Sequence, residues 1–314
     1  MLKRIVTSLA VASVTLVAAG GANAFPDHPV TMVVPFSAGG GTDGVARAFQ
    51  MYFAKALGGD VVVKNTAGAS GTVGAAEVAN AKADGYTLGF LPIGPVAIQP
   101  HLRKLPYDME SWESVCSITS SPVVLMTKKG NGINTLEDMK AKVGAEPGKY
   151  VYGSSGPGTI PHLAMAAAES AMGLKMKHVP HGGTAPAMKS MAGDVIQFFA
   201  DTPVVVTRYD VTPLAAFTTE RIPSLESVPT MKELGYDLQF SVWRGLFAPK
   251  GTPKDVVAKL DAACKAATES DGFKDFSAKT STDILYMGSK DFAAFVKSDF
   301  EKNGEILKAA GLKK

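Results

Sequence analysis

The sequence contains little cysteine: Cys116 and Cys264 are the only two in 314 residues. So few thiols exclude a fold held by a disulfide framework, and they exclude zinc or iron–sulfur sites built from cysteine, because those sites need more thiolates. In an oxidising compartment the two cysteines can pair, and otherwise they are separate buried thiols. The sequence leaves both alternatives open, because it does not give the distance between the two Cα atoms.

Long apolar runs are missing after the N-terminus. Residues 5–19 carry no charge, follow Lys3 and Arg4, and precede the small residues Ala22-Asn23-Ala24. The run is too short for a spanning helix and predicts a signal peptide over residues 1–24, cleaved after Ala24. No cysteine follows the cleavage point to carry a lipid. We therefore expect an exported chain in the periplasm.

Neither sign of charge dominates the mature chain. Without Lys3 and Arg4, 30 basic residues face 29 acidic ones. This balance gives no indication of a nucleic-acid partner, which a strongly basic surface would suggest. The roughly 290 residues after Ala24 are enough for two domains of ordinary size.

Short β-rich runs alternate with alanine-rich helical stretches. The β-rich runs cover residues 30–36, 61–64, 87–91, 123–127, 150–154, 178–180 and 195–200. The alternation predicts an α/β fold of mostly parallel sheets flanked by helices.

Two glycine-rich loops each connect a β-rich run to a helix. The first covers residues 37–44 and the second residues 153–159. At the start of a helix the first N–H groups have no partner within the helix, and the positive end of the helix dipole lies there, so both loops suit an anion. Two such loops predict two lobes that bind one acid between them.

The first loop also matches the dinucleotide pattern Gly-x-Gly-x-x-Gly. A nucleotide is not expected, because Asp43 would place a carboxylate where the pyrophosphate binds, and Lys64 rather than an acid ends the next strand. We predict no cofactor. Asp43 is interpreted as a residue that caps the helix start, with recognition of a ligand ammonium as the alternative.

The five histidines do not form a recognisable metal motif. His178 and His181 flank a proline and no carboxylate motif accompanies them, so we predict no metal and interpret His181 as a neutral hydrogen-bonding group. The segment Gly153-Ser154-Ser155-Gly156-Pro157 has proline where a nucleophile elbow needs its last glycine. We therefore predict no enzymatic activity, although a hydrolase that uses Ser154 or Ser155 with His162 is a rival hypothesis.

Several motifs together resemble one family, the substrate-binding proteins of tripartite tricarboxylate transporters, often called Bug proteins. The resemblance covers essentially the whole mature chain. It is carried by Val34–Asp43, Asn65–Gly71, Asp84–Leu88, Val179–Pro186, Val228–Thr230 and Gly245–Pro253. It implies a two-lobed periplasmic binding protein of the Venus flytrap kind (type II-like), with two hinge crossings. Lobe 1 would comprise residues 25–123 and 246–314, and lobe 2 residues 124–245.

The resemblance also implies a function. A monomeric receptor would close on a small carboxylate and pass it to the membrane subunits of a secondary transporter. A sensor that signals to a membrane kinase is the alternative. The ligand class stays open among dicarboxylates, tricarboxylates, aromatic acids and acidic amino acids.

Ligand contacts are carried over from the family position by position. In lobe 1 they are Ser37, Gly40, Thr42, Asp43, Ala67 and Gly68, and in lobe 2 Ser154, Ser155, Thr159, His162, Gly183, Thr184 and Asp201. Asp201, which follows a β-rich run, could accept from a ligand amine or hydroxyl, or could serve as a cap.

Two positions depart from the family pattern. His181 stands where a Tyr is common, and Arg244 replaces the Tyr of Trp-Tyr-Gly. We include both in the site. Arg244 is predicted to pair bidentately with the distal carboxylate of a diacid. The alternative is an arginine on the surface or tied to a lobe carboxylate.

Overall fold

The computed structural model describes residues 25–309. The predicted signal peptide and its cleavage site lie outside the described residues. Two β-sheets, each with helices packed on it, form two lobes. The strands of the first lobe are β1 Val30–Val34, β2 Val61–Asn65, β3 Thr87–Pro92, β4 Trp112–Pro122, β10 Ser241–Pro249 and β11 Asp283–Gly288, in the order β11-β4-β10-β3-β1-β2. Those of the second lobe are β5 Val124–Lys128, β6 Val151–Ser154, β7 Lys177–Pro180, β8 Phe198–Asp201 and β9 Val211–Ala216, in the order β7-β6-β8-β5-β9.

Helices surround both sheets. They are α1 Gly41–Leu57, α2 Thr72–Ala79, α3 Gln99–Leu102, α4 Leu136–Ala145, α5 Ile160–Ala171, α6 Thr184–Ala192, α7 Pro203–Val206, α8 Lys254–Glu269, α9 Asp271–Thr280 and α10 Ser289–Ala309. The two-lobed α/β prediction is confirmed. Among the described residues every helix is either too short or too polar to cross a bilayer.

Both sheets are mixed, so the prediction of mostly parallel strands is wrong in this detail. In the first lobe β1 is parallel to β2 and β3, but β10 is antiparallel to β3 and β4, and β11 is antiparallel to β4. In the second, β6 is parallel to β7 and β8, whereas β5 is antiparallel to β8 and β9. The crossings between lobes explain much of this: β4 leads out, β10 leads back beside it, and neighbouring outgoing and returning strands must be antiparallel.

The chain crosses between the sheets at two places. Only Val123 separates β4 from β5, whereas residues 217–240 connect β9 to β10. The predicted boundary at residue 246 lies inside β10, whose segment Ser241–Arg244 already pairs with Pro122–Thr119 of β4.

A disulfide links the first sheet to a helix that covers it. Cys116 of β4 and Cys264 of α8 are bonded, with their Cα atoms 6.6 Å apart. Both lie in an apolar core with Phe49 and Phe53 of α1 and with Phe273. The bridge therefore fastens α8 to the sheet inside an already packed core.

A candidate ligand site between the two lobes

A cavity lies between the lobes and encloses about 480 Å³ of empty space, including the part open to solvent. The lining consists of Phe36, Gly40, Gly41, Thr42, Pro92, Ile93, Gly94, Ser155, Thr159, Ile160, Pro161, Thr184, Asp201, Val242 and Arg244. Several of these residues stand at the carboxyl ends of β1, β3, β6 and β8, which is where ligands bind in α/β sheets.

Arg244 is the cation of the cavity. It lies on β10 and is only 1% exposed. Its Nη1 donates to the Ser121 hydroxyl at 2.9 Å and to the Val242 carbonyl at 3.3 Å, and its Nε donates over 3.4 Å to the Thr42 hydroxyl. Among the described residues none accepts a hydrogen bond from Nη2. Two donors of a buried guanidinium are thus available on the side that lines the cavity.

The charge of Arg244 is stabilised only from a distance. Burial lowers its pKa to about 10, and the charge of Asp201 partly offsets that effect. The guanidinium stays protonated at neutral pH, yet no described carboxylate forms an ion pair with it. A buried charge without an ionic partner costs free energy, which an anion bound at Nη2 would offset.

Asp201 is the carboxylate of the cavity. It ends β8 and is 6% exposed. One oxygen accepts from the Thr184 hydroxyl at 2.5 Å and the other from the Thr202 amide at 2.7 Å. Burial raises the pKa of Asp201, and these hydrogen bonds and the charge of Arg244 oppose the rise. Each oxygen keeps a lone pair for a further donor.

Glycine lets the two charged groups approach the start of α1. A Cβ atom on Gly41 would stand 3.0 Å from Asp201 Oδ1, 2.6 Å from the Thr202 hydroxyl and 3.6 Å from Arg244 Nη2. Arg244 and Asp201 therefore both lie beside Gly41. With Thr184 and Ser155, whose hydroxyls are 3.5 Å apart, they form the polar part of the lining.

The cavity also has apolar lining residues. Ile93 follows β3, Ile160 begins α5, and Val242 precedes Arg244 by two positions on β10. Ile93 and Ile160 also line a neighbouring surface pocket with Leu163 and Phe240. The lining thus combines polar and apolar residues.

Asp43 holds the first loop together and is not among the lining residues. Its carboxylate accepts from the Gly39 amide at 2.9 Å, from Arg47 Nε at 3.0 Å and from Asn65 Nδ2 at 2.9 Å. These hydrogen bonds lower its pKa although burial acts in the opposite sense. The carboxylate is 2% exposed, so the position is that of a loop-stabilising residue.

Ser154 and three histidines form a cluster behind the second loop. The Ser154 hydroxyl lies 2.7 Å from His178 Nε2, and His162 Nδ1 accepts from the Gly158 amide at 3.1 Å. Burial lowers the pKa of His178 to about 4, and it also lowers the pKa values of His162 and His181. Among the described residues, Ser155 and His162 are not linked by a hydrogen bond, and the Ser154 side chain is fully buried. This geometry gives no support to the rival hydrolase.

The structure brings together seven of the fifteen predicted site residues. The cavity is lined by Gly40, Thr42, Ser155, Thr159, Thr184, Asp201 and Arg244. Ser37 and Gly183 instead meet at the boundary between the lobes, where a Cβ atom on Gly183 would lie 2.3 Å from the Ser37 hydroxyl. The remaining six predicted residues, which are Asp43, Ala67, Gly68, Ser154, His162 and His181, do not line it.

Sequence reasoning missed most of the apolar lining. Pro92, Ile93 and Gly94 directly follow the β-rich run 87–91. The position of a segment after a parallel strand was the available signal. Phe36, the last residue of the β-rich run 30–36, and Gly41 of the first loop were not among the predicted site residues. Ile160 and Val242 give no such signal, because an apolar residue near a loop resembles any core residue.

Among the described residues, no group of three or more His, Cys, Asp or Glu side chains is arranged to hold a metal ion.

Comparison with known proteins gives consistent results. The model of the tripartite tricarboxylate transporter family receptor (TctC) matches residues 45–312. A curated protein of Cupriavidus necator, the UPF0065 protein in the gbd 5' region, is 31% identical over 297 residues, which cover 93% of this chain and 90% of that protein.

Three solved structures are similar over nearly their whole length. The periplasmic binding protein BugD has a TM-score of 0.87 at 32% identity, covering 92% of this chain and 100% of BugD. MatC of Rhodopseudomonas palustris with bound malate has a TM-score of 0.83 at 28% identity, with coverages of 90% and 100%. Rpa4515 of R. palustris with adipate has a TM-score of 0.85 at 28% identity, with coverages of 91% and 98%.

Proposed function

Because the chain belongs to the tripartite tricarboxylate transporter receptors, a family of periplasmic solute-binding proteins, we propose that it captures a small carboxylate between its lobes and delivers it to the membrane subunits of a tripartite transporter. The protein works in this proposal as a monomer, and it binds without chemical conversion of the ligand.

One observation carries the proposal: Arg244 presents unpartnered Nη2 donors to a cavity between the lobes. A guanidinium binds a carboxylate through two parallel hydrogen bonds when both donors are available. The hydroxyls of Thr42 and Ser155 add neutral donors around the same space. The family resemblance supports the same ligand class, since similar structures hold malate and adipate.

Binding is coupled to closure in this proposal. Thr42 and Arg244 belong to the first lobe and Ser155, Thr184 and Asp201 to the second, so a ligand contacts both only when the lobes meet. The crossings at Val123 and at residues 217–240 would act as hinges. A ligand that contacts both lobes shifts the equilibrium towards the closed form because it binds that form more tightly.

The test is ligand binding by ligand-stripped protein starting at Phe25, measured by thermal shift against a panel of carboxylates and their amides, followed by calorimetry on the hits. Arg244→Gln should lower affinity for the best acid about 100-fold, since hydrogen bonds to charged groups contribute about 1.5–3 kcal/mol each. Arg221→Gln is the matched control, because Arg221 pairs with Glu233 at the exposed surface. Unchanged affinity in Arg244→Gln, or no acid that binds, would refute the proposal. Delivery is tested separately by uptake into proteoliposomes that contain the membrane subunits.

A further inference from the structure

We propose that the ligand is a zwitterionic amino acid with a small apolar side chain, whose carboxylate binds Arg244, whose ammonium binds Asp201 and whose side chain packs on Ile93, Ile160 and Val242. This inference rests on the proposed function and narrows its ligand class.

The first step is the charge of the cavity. Arg244 and Asp201 are both almost fully buried, line the same space and form no ion pair with each other. With Asp201 ionised, the two charges cancel. A dicarboxylate would add two negative charges to a largely apolar enclosure, whereas a zwitterion adds none and gives each buried group a partner of opposite charge. Electrostatics therefore favours a ligand of zero net charge.

The second step is the hydrogen-bonding capacity of the two groups. Arg244 keeps the donors on Nη2, while each oxygen of Asp201 accepts one hydrogen bond and keeps a lone pair. Donors on one side and acceptors on the other require a ligand with both an anionic and a donating group. Burial raises the pKa of Asp201, so its ionised form has most to gain from a nearby cation.

The third step is spacing. Asp201 Oδ1 and Arg244 Nη2 both lie within 4 Å of the point where a Cβ atom of residue 41 would stand. Since the two atoms lie 3.0 and 3.6 Å from that one point, they are no more than 6.6 Å apart, a span that an ammonium and a carboxylate on the same carbon atom can bridge. A diacid with several carbons between its carboxylates would have to place the second one away from Arg244, and no other cation among the described residues lines the cavity.

The fourth step is the apolar part of the lining. Ile93 and Val242 come from the first lobe and Ile160 from the second. A small aliphatic side chain placed there buries apolar surface against both lobes, which stabilises the closed form by the hydrophobic effect.

The experiment compares analogues that differ in one group, by calorimetry on ligand-stripped wild-type protein. The series is L-valine, 2-hydroxy-3-methylbutanoate, 3-methylbutanoate, valinamide, malate and adipate. L-Valine should bind at least tenfold more tightly than either monoanion, and valinamide should not bind. Equal or tighter binding of 3-methylbutanoate or of a dicarboxylate would overturn the inference while leaving the carboxylate receptor intact.

A size-matched variant supplies the second readout. Asp201→Asn should lower the affinity for L-valine at least tenfold and leave the affinity for 3-methylbutanoate unchanged or higher. The reason is that only the amino acid carries an ammonium group that can contact Asp201. Asp237→Asn, at an exposed position, is the control. An equal loss for both ligands would contradict a role in ammonium recognition. If Asp201→Asn does not fold, the affinities of wild-type protein for the six ligands are sufficient to test the inference. Failure of every acid to bind wild type, or an unchanged affinity of Arg244→Gln for the best acid, would instead refute the proposed function.

Discussion

At the scale of single residues, one methyl group added at Gly41 should weaken ligand binding without a large change in the free energy of unfolding. A Cβ atom there would lie 2.6 Å from the Thr202 hydroxyl and 3.0 Å from Asp201 Oδ1, both in the other lobe. Gly41→Ala should therefore hold the lobes apart and weaken ligand affinity at least tenfold. The free energy of unfolding should stay within about 1 kcal/mol of wild type, since alanine favours a helix slightly over glycine. Calorimetry and urea denaturation measure the two quantities.

The matched control is Gly144→Ala, a glycine of α4 with no heavy atom near its Cβ position. This variant adds the same methyl group without contacting the other lobe, so its ligand affinity should equal that of wild type. Small-angle scattering adds an independent readout: saturating ligand should compact wild type and Gly144→Ala but not Gly41→Ala. Wild-type affinity in Gly41→Ala would show that the lobes bind ligand without this close approach.

A site residue could be predicted from the sequence where its residue type departs from the family pattern. Arg244 replaces an aromatic residue of that pattern, and the structure places it in the cavity. Asp43, His162 and His181 have the right chemistry and lie near the loops, but their hydrogen bonds go to Arg47, Gly158 and Ser190. Spacing along a loop does not give the direction of a side chain, so sequence could not separate these residues from Ser155 or Thr184.

At the scale of secondary-structure elements, the disulfide between β4 and α8 should contribute strongly to stability. It closes a loop of 148 residues, and constraining such a loop in the unfolded chain typically stabilises a protein by about 2–4 kcal/mol. The double variant Cys116→Ala with Cys264→Ala should lose that amount in urea denaturation. Ligand affinity should be unchanged, because neither cysteine lines the cavity.

Reductant provides the control for the disulfide. Dithiothreitol should lower the stability of wild type towards that of the double variant and leave the double variant unaffected. Equal sensitivity of both proteins would mean that the reductant acts elsewhere.

The histidine cluster beside β6 and β7 predicts a pH dependence of stability. The pKa of His178 is lowered to about 4, chiefly by burial, whereas unfolding restores a value near 6.5. A lowered folded-state pKa gives stability that is fully present above the unfolded value and is lost as pH falls towards the folded one. Wild type should therefore lose stability from pH 7 to pH 5. His178→Gln should lose less in denaturation at the two pH values, and the exposed His28→Gln should match wild type. An equal loss in all three proteins would contradict a contribution from His178.

The sequence pattern predicted the alternation of strands and helices correctly, but it did not predict the directions of the strands. The apolar runs at 30–36 and 87–91 became β1 and β3, since buried strands in α/β folds are continuous apolar runs. The antiparallel position of β10 depends on β4, which is over a hundred residues away. Direction in a sheet follows from such long-range pairing, which a local pattern does not encode.

At the scale of the whole molecule, hydrogen bonds join the two lobes at two places. At the first, the Tyr209 hydroxyl of the second lobe donates to the Gly39 carbonyl of the first at 3.0 Å. At the second, the Ser70 hydroxyl and Gln99 Nε2 of the first lobe both donate to the Pro157 carbonyl, at 2.8 and 3.0 Å. Contacts of this kind exist only when the lobes meet, so they affect affinity through the population of the closed form.

Tyr209→Phe tests this coupling because it removes one hydroxyl that touches no part of the cavity lining except through the first loop. Loss of one neutral hydrogen bond of about 0.5–1.5 kcal/mol should weaken ligand affinity roughly 2–10-fold, mainly through faster dissociation. The free energy of unfolding without ligand should change little if the open form dominates there. Tyr150→Phe removes the same group within the second lobe, where Tyr150 packs on Phe198, and should bind ligand like wild type. Equal dissociation rates in the two variants would show that this contact forms without favouring the closed state.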